Sequence, residues 1–139
     1  MLDRVVRWAR RRSPWILHYN SGGCNGCDIE LVDLLTPRYD IERLGMIKVE
    51  SPRHADILLC TGPVTRQSRD RLLRIYEQMA EPKWVVALGA CGCSGGIFRG
   101  AYNVLGGVDQ VLPVAMYVPG CPSRPEAVIA ALQGLLSSL

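Results

Sequence analysis

The stretch SGGCNGCDIE, residues 21–30, sets two cysteines three apart in a glycine-rich turn, between an apolar run and an acidic helix start. Thiols so spaced serve a disulfide, a thioredoxin-type redox pair, a zinc knuckle or an iron–sulfur cluster, or are merely packed. Each use makes a different demand on the remaining four of the six cysteines. Cys91 ends WVVALGAC and Cys121 ends LPVAMYVPGC, so both follow an apolar run and a glycine-bearing turn, as Cys24 does. Cys60 instead lies within ADILLCTG, where it reads as a buried structural thiol.

The segments around these thiols alternate between two periods. Residues 2–12 read as a short basic amphipathic helix with Leu2, Val5, Val6 and Ala9 on its apolar stripe, ended before Pro14. WILHYN (15–20) reads as a strand, DIELVDLL (28–35) as a helix and 41–49 as a second strand. ADILLCTG (55–62) is a buried strand, 66–80 a helix, 84–91 a strand and 112–121 a further strand. The last helix opens at SRPE (123–126), with Ser123 as cap, proline two residues in and Glu126 at the box position. Strand–helix alternation of this kind implies βαβ units and a central parallel sheet with helices on both faces, and flavodoxin-like α/β topology is the expected fold. The expected organisation is a basic helix over 1–14 and one domain over 15–139.

In an open parallel sheet all strands end on one edge, and ligands bind in the crevice there. Four thiols remote in sequence, Cys24, Cys27, Cys91 and Cys121, are therefore expected to converge. A lone dithiol would leave Cys91 and Cys121 without a role. Zinc accepts four thiolates but usually takes them from two paired knuckles, whereas here there is one pair and two singletons. A [4Fe-4S] cluster takes one thiolate per iron from ligands spread along the chain, and a proline after a ligand, as after Cys121, is a habit of such sites. The residues favour the cluster and leave zinc or unliganded thiols as alternatives.

Composition narrows the function. A hydrophobic fraction of 48% with 21% charged residues is that of a folded domain. The net charge of +3 is concentrated in the five arginines of RVVRWARRR, which argues against a nucleic-acid-binding face. No run reaches the ~18 apolar residues of a membrane span, and no secretory h-region precedes Arg12, so the expectation is a cytoplasmic protein with reduced thiols. There is no GxxxxGK[ST] loop and no GxGxxG after a strand.

GGCNGCDIE, HADILLCTGPVT, YEQMAEPKWVVALGAC and GGVDQVLPVAMYVPGCPSRPEAV together resemble the B-subunit family of respiratory complex I. They resemble more closely the small subunit of energy-converting, membrane-bound [NiFe] hydrogenases. The likeness runs from Trp15 to the C-terminus, and the CxxC at Cys24 and Cys27, where complex I members carry adjacent cysteines, points to the hydrogenase branch, which includes relatives that reduce sulfur compounds. The resemblance implies one proximal [4Fe-4S] cluster held by Cys24, Cys27, Cys91 and Cys121, and no catalytic residue in this chain. It implies a large catalytic subunit of Ni-Fe type, a ferredoxin-like polyferredoxin subunit and membrane-arm subunits as partners, with the protein peripheral at the cytoplasmic face of the membrane. Six cysteines cannot supply both a four-thiolate Ni-Fe centre and a four-thiolate cluster, so the nickel site is expected on another chain. The implied role is electron relay for proton reduction coupled to ion translocation; the equivalent subunit of a sulfur- or quinone-reducing complex is the alternative.

Several residues near the motifs carry two readings. Cys93 departs from the family pattern, as a tolerated small side chain, as a substitute for Cys91, or as a neighbour of the centre that does not bind it. Asp28 reads as a helix cap before it reads as a proton carrier, and Glu30 as a carboxylate facing the partner. Of the two histidines, His18 on the strand leading into the thiol turn is the better functional candidate than His54. GGIFRGAYN (95–103) exposes Ile97, Phe98 and Tyr102 beside the third thiol and is expected to meet the large subunit.

Overall fold

Successive residues of a strand point to opposite faces, so a strand apolar at every position can serve two cores. In the computed structural model, which describes residues 1–139, the chain runs α1 (Leu2–Arg12), β1 (Trp15–Asn20), α2 (Gly26–Asp33), β2 (Ile47–Lys48), β3 (Ile57–Thr61), β4 (Val64–Thr65), α3 (Arg66–Gln78), β5 (Trp84–Leu88), α4 (Gly89–Ser94), β6 (Val104–Gly106), β7 (Met116–Val118) and α5 (Pro125–Ser138). Ile57 and Leu59 of β3 and Val86 and Leu88 of β5 enter one core with Leu31 and Leu34 of α2 and Leu132 and Leu135 of α5. The alternate residues Leu58, Cys60, Val85 and Ala87 enter a second core with Leu72 of α3, Val108 and Leu112. Helices therefore cover both faces of one sheet.

That sheet has the order β2-β1-β3-β5-β7 with every pairing parallel. It is the flavodoxin-like arrangement, with the direction of strand succession reversing between β1 and β3. The register aligns the strand ends: Asn20 lies opposite Thr61 and Thr61 opposite Leu88, with Val118 opposite Leu88 on the far side. A small antiparallel pair, β4 with β6, ties the start of α3 to the excursion between α4 and β7.

The differences from the expected elements have local causes. Residues 41–49 do not form one strand: Ile41–Leu44 is a 3-10 turn closed by Gly45 at φ +82, and only Ile47–Lys48 pairs with β1. Isoleucine and leucine in the turn bury Ile41 in the core without any ladder, so apolar content misled the periodicity. In 112–121 only Met116–Val118 is strand, because Pro113 and Pro119 bracket the part that can donate to β5. Residues 84–91 end as strand at Leu88, and Cys91 lies within α4 instead of in a turn.

α1 has no buried residue, and Leu2, Val5 and Trp8 are all more than half exposed, at 76%, 55% and 60%. What joins it to the domain is polar. Arg10 Nε lies 2.8 Å from Asp56 Oδ1 and its Nη1 donates to the Pro82 carbonyl, while Trp15 N–H donates to Asp56 Oδ2 at 3.0 Å. Asp56 is buried, which pushes its carboxyl up from the ordinary aspartate value, against the Trp15 N–H and the Arg10 charge. Arg10→Ala is expected to leave this buried carboxylate half-satisfied and to cost about 1–3 kcal/mol in chemical denaturation, whereas Arg11→Ala, fully on the solvent side, costs less than about 0.5 kcal/mol.

Candidate functional site: four thiols at the carboxyl edge of the sheet

Because the strand ends are in register, the segments leaving them share one rim. Cys24 and Cys27 follow β1, Cys91 follows β5 and Cys121 follows β7. All four line one cavity of about 260 Å³, together with Thr61 and Gly62 at the end of β3. Cys24 and Cys121 are exposed, and Cys27 and Cys91 lie deeper.

The turn after β1 is shaped by its own side chains. Asn20 Oδ1 accepts from the N–H groups of Gly22 at 2.8 Å and Gly23 at 2.7 Å, an Asx-type turn that sends the chain back toward the rim. The Ser21 hydroxyl lies 2.9 Å from the carbonyl oxygens of both Thr61 and Gly62, and Ser21 N–H donates to Thr61 O at 2.9 Å. These bonds clamp the turn to β3. Asn25 takes φ 68 as the chain enters α2, a conformation asparagine tolerates better than most residues.

Two glycines fix how closely the loops approach. At Gly62, with φ +80, an added Cβ would stand 2.2 Å from Gly23 N, so β3 and the thiol turn meet backbone to backbone. At Gly89, with φ +77, a Cβ would stand 2.6 Å from Cys27 Sγ. The space a methyl would fill here is the space the thiol occupies.

The electrostatics of the cavity oppose thiolates without a cation. Burial pushes the Cys91 thiol up from its ordinary value, and the nearby Cys121, Cys27 and Cys24 push it in the same direction. Burial also raises Cys27, while the N–H and hydroxyl of buried Ser123 favour its ionised form. Cys27 and Cys91 are therefore disfavoured as thiolates unless positive charge stands beside them. No three His, Cys, Asp or Glu side chains stand close enough to hold a single metal ion. Four thiols from three loops are a donor set that can supply one thiolate to each iron of a [4Fe-4S] cluster.

Other candidates fall elsewhere. Cys93 Sγ faces the Ala87 carbonyl at 3.7 Å and borders a separate polar cleft with Arg99 and Asp109, so it does not line the four-thiol cavity. Cys60 is fully buried and its thiol is pushed up to about 12. His54 stacks obliquely on Trp15, with centroids 6.0 Å apart, beside the opposite end of β1. Asp28 makes no capping bond on α2; it accepts from Asn20 Nδ2 and from the Thr61 hydroxyl and pairs with His18. Glu30 is half-buried on α2, outside that network. Ser123 is not the cap of α5, since the N-cap position is Arg124, without a side-chain bond; Ser123 is buried instead, and Glu126 accepts from Tyr39 OH at 2.8 Å. Asn20, Thr61 and Ser123 are contributors that sequence reasoning passed over. Asn before Ser-Gly-Gly is a turn signal that was available, whereas Ser123 mimics a cap so well that only the fold reveals its direction.

The protein is thus a flavodoxin-like domain that gathers four cysteines at the carboxyl rim of its sheet, and comparison with known proteins identifies its family. The profile of the family described as NADH ubiquinone oxidoreductase, 20 Kd subunit, matches residues 24–135, and the chain belongs to that family. It is 56% identical over 118 residues to the probable membrane-bound hydrogenase subunit mbhJ of Pyrococcus furiosus, covering 85% of this chain and 71% of the relative. It is 46% identical over 134 residues to an NADH-quinone oxidoreductase subunit of Geobacter sp., covering 96% and 76%. Among solved structures, a chain of the membrane-bound sulfane sulfur reductase, an archaeal respiratory membrane complex, superposes with a TM-score of 0.84 at 41% identity, covering 96% of this chain and 73% of that one. Family members are subunits of oxidoreductase complexes.

Gly89→Ala is expected to displace the Cys27 thiol and to add about 1–2 kcal/mol of backbone strain. Chemical denaturation together with the rate of Cys27 alkylation in the metal-free chain reads both effects; an unchanged alkylation rate would show that the methyl is absorbed elsewhere.

Proposed function

We propose that this chain is the electron-transfer subunit of a membrane-bound, ferredoxin-linked hydrogenase-type complex, with Cys24, Cys27, Cys91 and Cys121 holding one [4Fe-4S] cluster. The observation that carries the reading is the meeting of four thiols from three strand ends in one cavity. When bound, the cluster supplies a one-electron couple whose potential is set by burial and by donors to its sulfurs. The protein's part is positioning and insulation. Asn20 and Ser21 set the turn that presents Cys24, Gly89 leaves room for Cys27, and the N–H and hydroxyl of Ser123 favour the ionised form of Cys27. Donors of that kind favour the more negative state and so ease reduction.

The electron leaves for a large catalytic subunit of Ni-Fe type and arrives from a ferredoxin-like polyferredoxin subunit, with ion translocation carried out by membrane-arm subunits. Apolar side chains around the rim support docking there: Ile97 and Tyr102 are 89% and 85% exposed, and Ile29 and Val32 of α2 are 68% and 61% exposed. No helix is long and apolar enough to cross a membrane. α1, with Met1, Leu2, Val5 and Trp8 exposed and flanked by arginines, Arg4 beside Val5 and Trp8 and Arg12 over the Trp8 ring, suits peripheral attachment at the cytoplasmic membrane face. The likeness to the sulfane sulfur reductase chain favours a second reading, the equivalent subunit of a sulfur-reducing complex.

Anaerobic purification of the complex tests the assignment. A brown protein with a reducible [4Fe-4S] electron-spin signal is expected, lost in each of Cys24→Ser, Cys27→Ser, Cys91→Ser and Cys121→Ser and kept in Cys93→Ser; retention in any of the four would remove that residue from the ligand set. Hydrogen evolution with a reduced ferredoxin separates the two readings. In a second experiment, Leu2→Ser, Val5→Ser and Trp8→Ser combined should move the subunit out of the membrane fraction without loss of iron, and Phe98→Asp should prevent co-purification with the large subunit.

A further inference from the structure

Of the 13 residues that line the four-thiol cavity, Asp28 alone carries a charge. Its side chain keeps 18% of its exposure. Asn20 Nδ2 and the Thr61 hydroxyl donate to its two oxygens, and His18 Nε2 stands 3.0 Å from Oδ1. Each partner can donate, which suits an ion that only accepts. None of them cancels the charge. Burial, the largest influence on the His18 ring, holds it below its ordinary value, so the imidazole is neutral at neutral pH. Asp28 also lines a second cavity, of about 160 Å³, and the one ammonium there, Lys48, is paired with Glu50.

We propose that Asp28 is a fixed negative charge that sets the reduction potential of the four-thiol centre and holds it low. The proposal rests on the reading of the four thiols as [4Fe-4S] ligands. The electron enters from the upstream iron–sulfur carrier and leaves for the large subunit, and no bond at Asp28 forms or breaks. Reduction adds one negative charge to a centre already ringed by four thiolates, and net charge is among the factors that set such a potential. A carboxylate in the cavity wall therefore raises the energy of the reduced state more than that of the oxidised one. Partial burial keeps this repulsion from being screened as it would be in water. The lower the potential, the stronger the reduced centre is as a reductant, as an acceptor such as protons requires.

The donors around Asp28 fix its place and moderate its field. Asn20 acts at both ends of its amide: Oδ1 holds the N–H groups of Gly22 and Gly23, and Nδ2 holds the carboxylate. The side chain that shapes the thiol turn thus also ties the charge to it. Thr61 lines the same cavity at the end of β3, and its hydroxyl is turned to Asp28. A purely structural aspartate, bonding α2 to β1 and β3, would leave the redox couple indifferent to its replacement by an uncharged side chain of the same shape.

The test is a redox titration of the electron-spin signal in the intact complex at one fixed pH. Asp28→Asn, of the same shape without the charge, should raise the midpoint, the reduced-to-oxidised ratio at a given potential increasing about tenfold, about 59 mV for a one-electron couple. Asp28→Glu, which keeps the charge, should stay near the wild-type midpoint. Thr61→Val removes a donor and leaves the charge less compensated, so the midpoint should fall. Combined with Asp28→Asn it should add nothing, because Thr61 acts through the carboxylate. An unchanged midpoint in Asp28→Asn overturns the proposal. So does a shift in Asp28→Glu as large as that in Asp28→Asn, or a valine effect that persists in the double variant. Where the Asp28 variants do not assemble, Thr61→Val decides, and a midpoint that fails to fall there overturns the proposal. A wild-type complex with no [4Fe-4S] signal would overturn the ligand assignment itself.

Discussion

The close approach of Gly23 to Gly62 is the constraint on which the site depends. Parallel strands in register bring their carboxyl ends to one line, but a line of loops becomes a cavity only if neighbouring loops fold over it. Backbone contact between the thiol turn and the end of β3, held by Ser21, achieves that at the point where strand succession reverses. Once the turn is pinned, α2 starts where Cys27 faces inward, and Ala90 N–H donating to Gly120 O at 2.7 Å draws the β5 and β7 loops together on the other side. The depth of each thiol follows from this frame: Cys27 and Cys91 are carried by helices and lie deeper, while Cys24 and Cys121 sit on loops and remain outside.

Much of this was legible in the sequence because the signals were redundant. The runs at 57–60 and Trp84–Leu88 are apolar throughout, as a strand covered on both faces requires, and each leads into a glycine within two residues. The thiols that line the cavity, Cys24, Cys27, Cys91 and Cys121, could be named because topology alone sends their loops to one rim. What escaped was side-chain direction. Asp28 follows a ligand-like cysteine at a helix start, the position where a carboxylate ordinarily complements the helix dipole, and nothing local tells that β1 and β3 will offer it His18 and Thr61 instead. Ser123 poses the same problem in reverse, a cap by spacing and a buried residue that favours the Cys27 thiolate by fold. Trp8 on α1 escaped because the stripe was read at Leu2, Val5, Val6 and Ala9, whereas Val6 turns partly inward beside Arg10 and the exposed face is centred on Val5.

The attachment of α1 illustrates how a chain can carry a peripheral element without a core beneath it. Nothing apolar in α1 is buried, so its position rests on directional bonds from one guanidinium to a carboxylate and a carbonyl. Such bonds fix orientation better than they supply stability. The consequence is an element held at a defined place on the domain with its apolar side outward, ready for a surface with no equivalent in the isolated chain.

The two outer strands of the sheet are short: β2 pairs through two residues and β7 spans three. A long bare edge would offer its unpaired N–H and carbonyl groups to another copy of the chain, and proteins that leave such edges open tend to polymerise. A subunit with this many exposed apolar side chains is vulnerable to just that fate before it meets its partners. Brevity at both edges, with Pro113 and Pro119 denying β7 any extension, keeps the apolar faces sticky for assembly while leaving the sheet itself no means of growing into an aggregate.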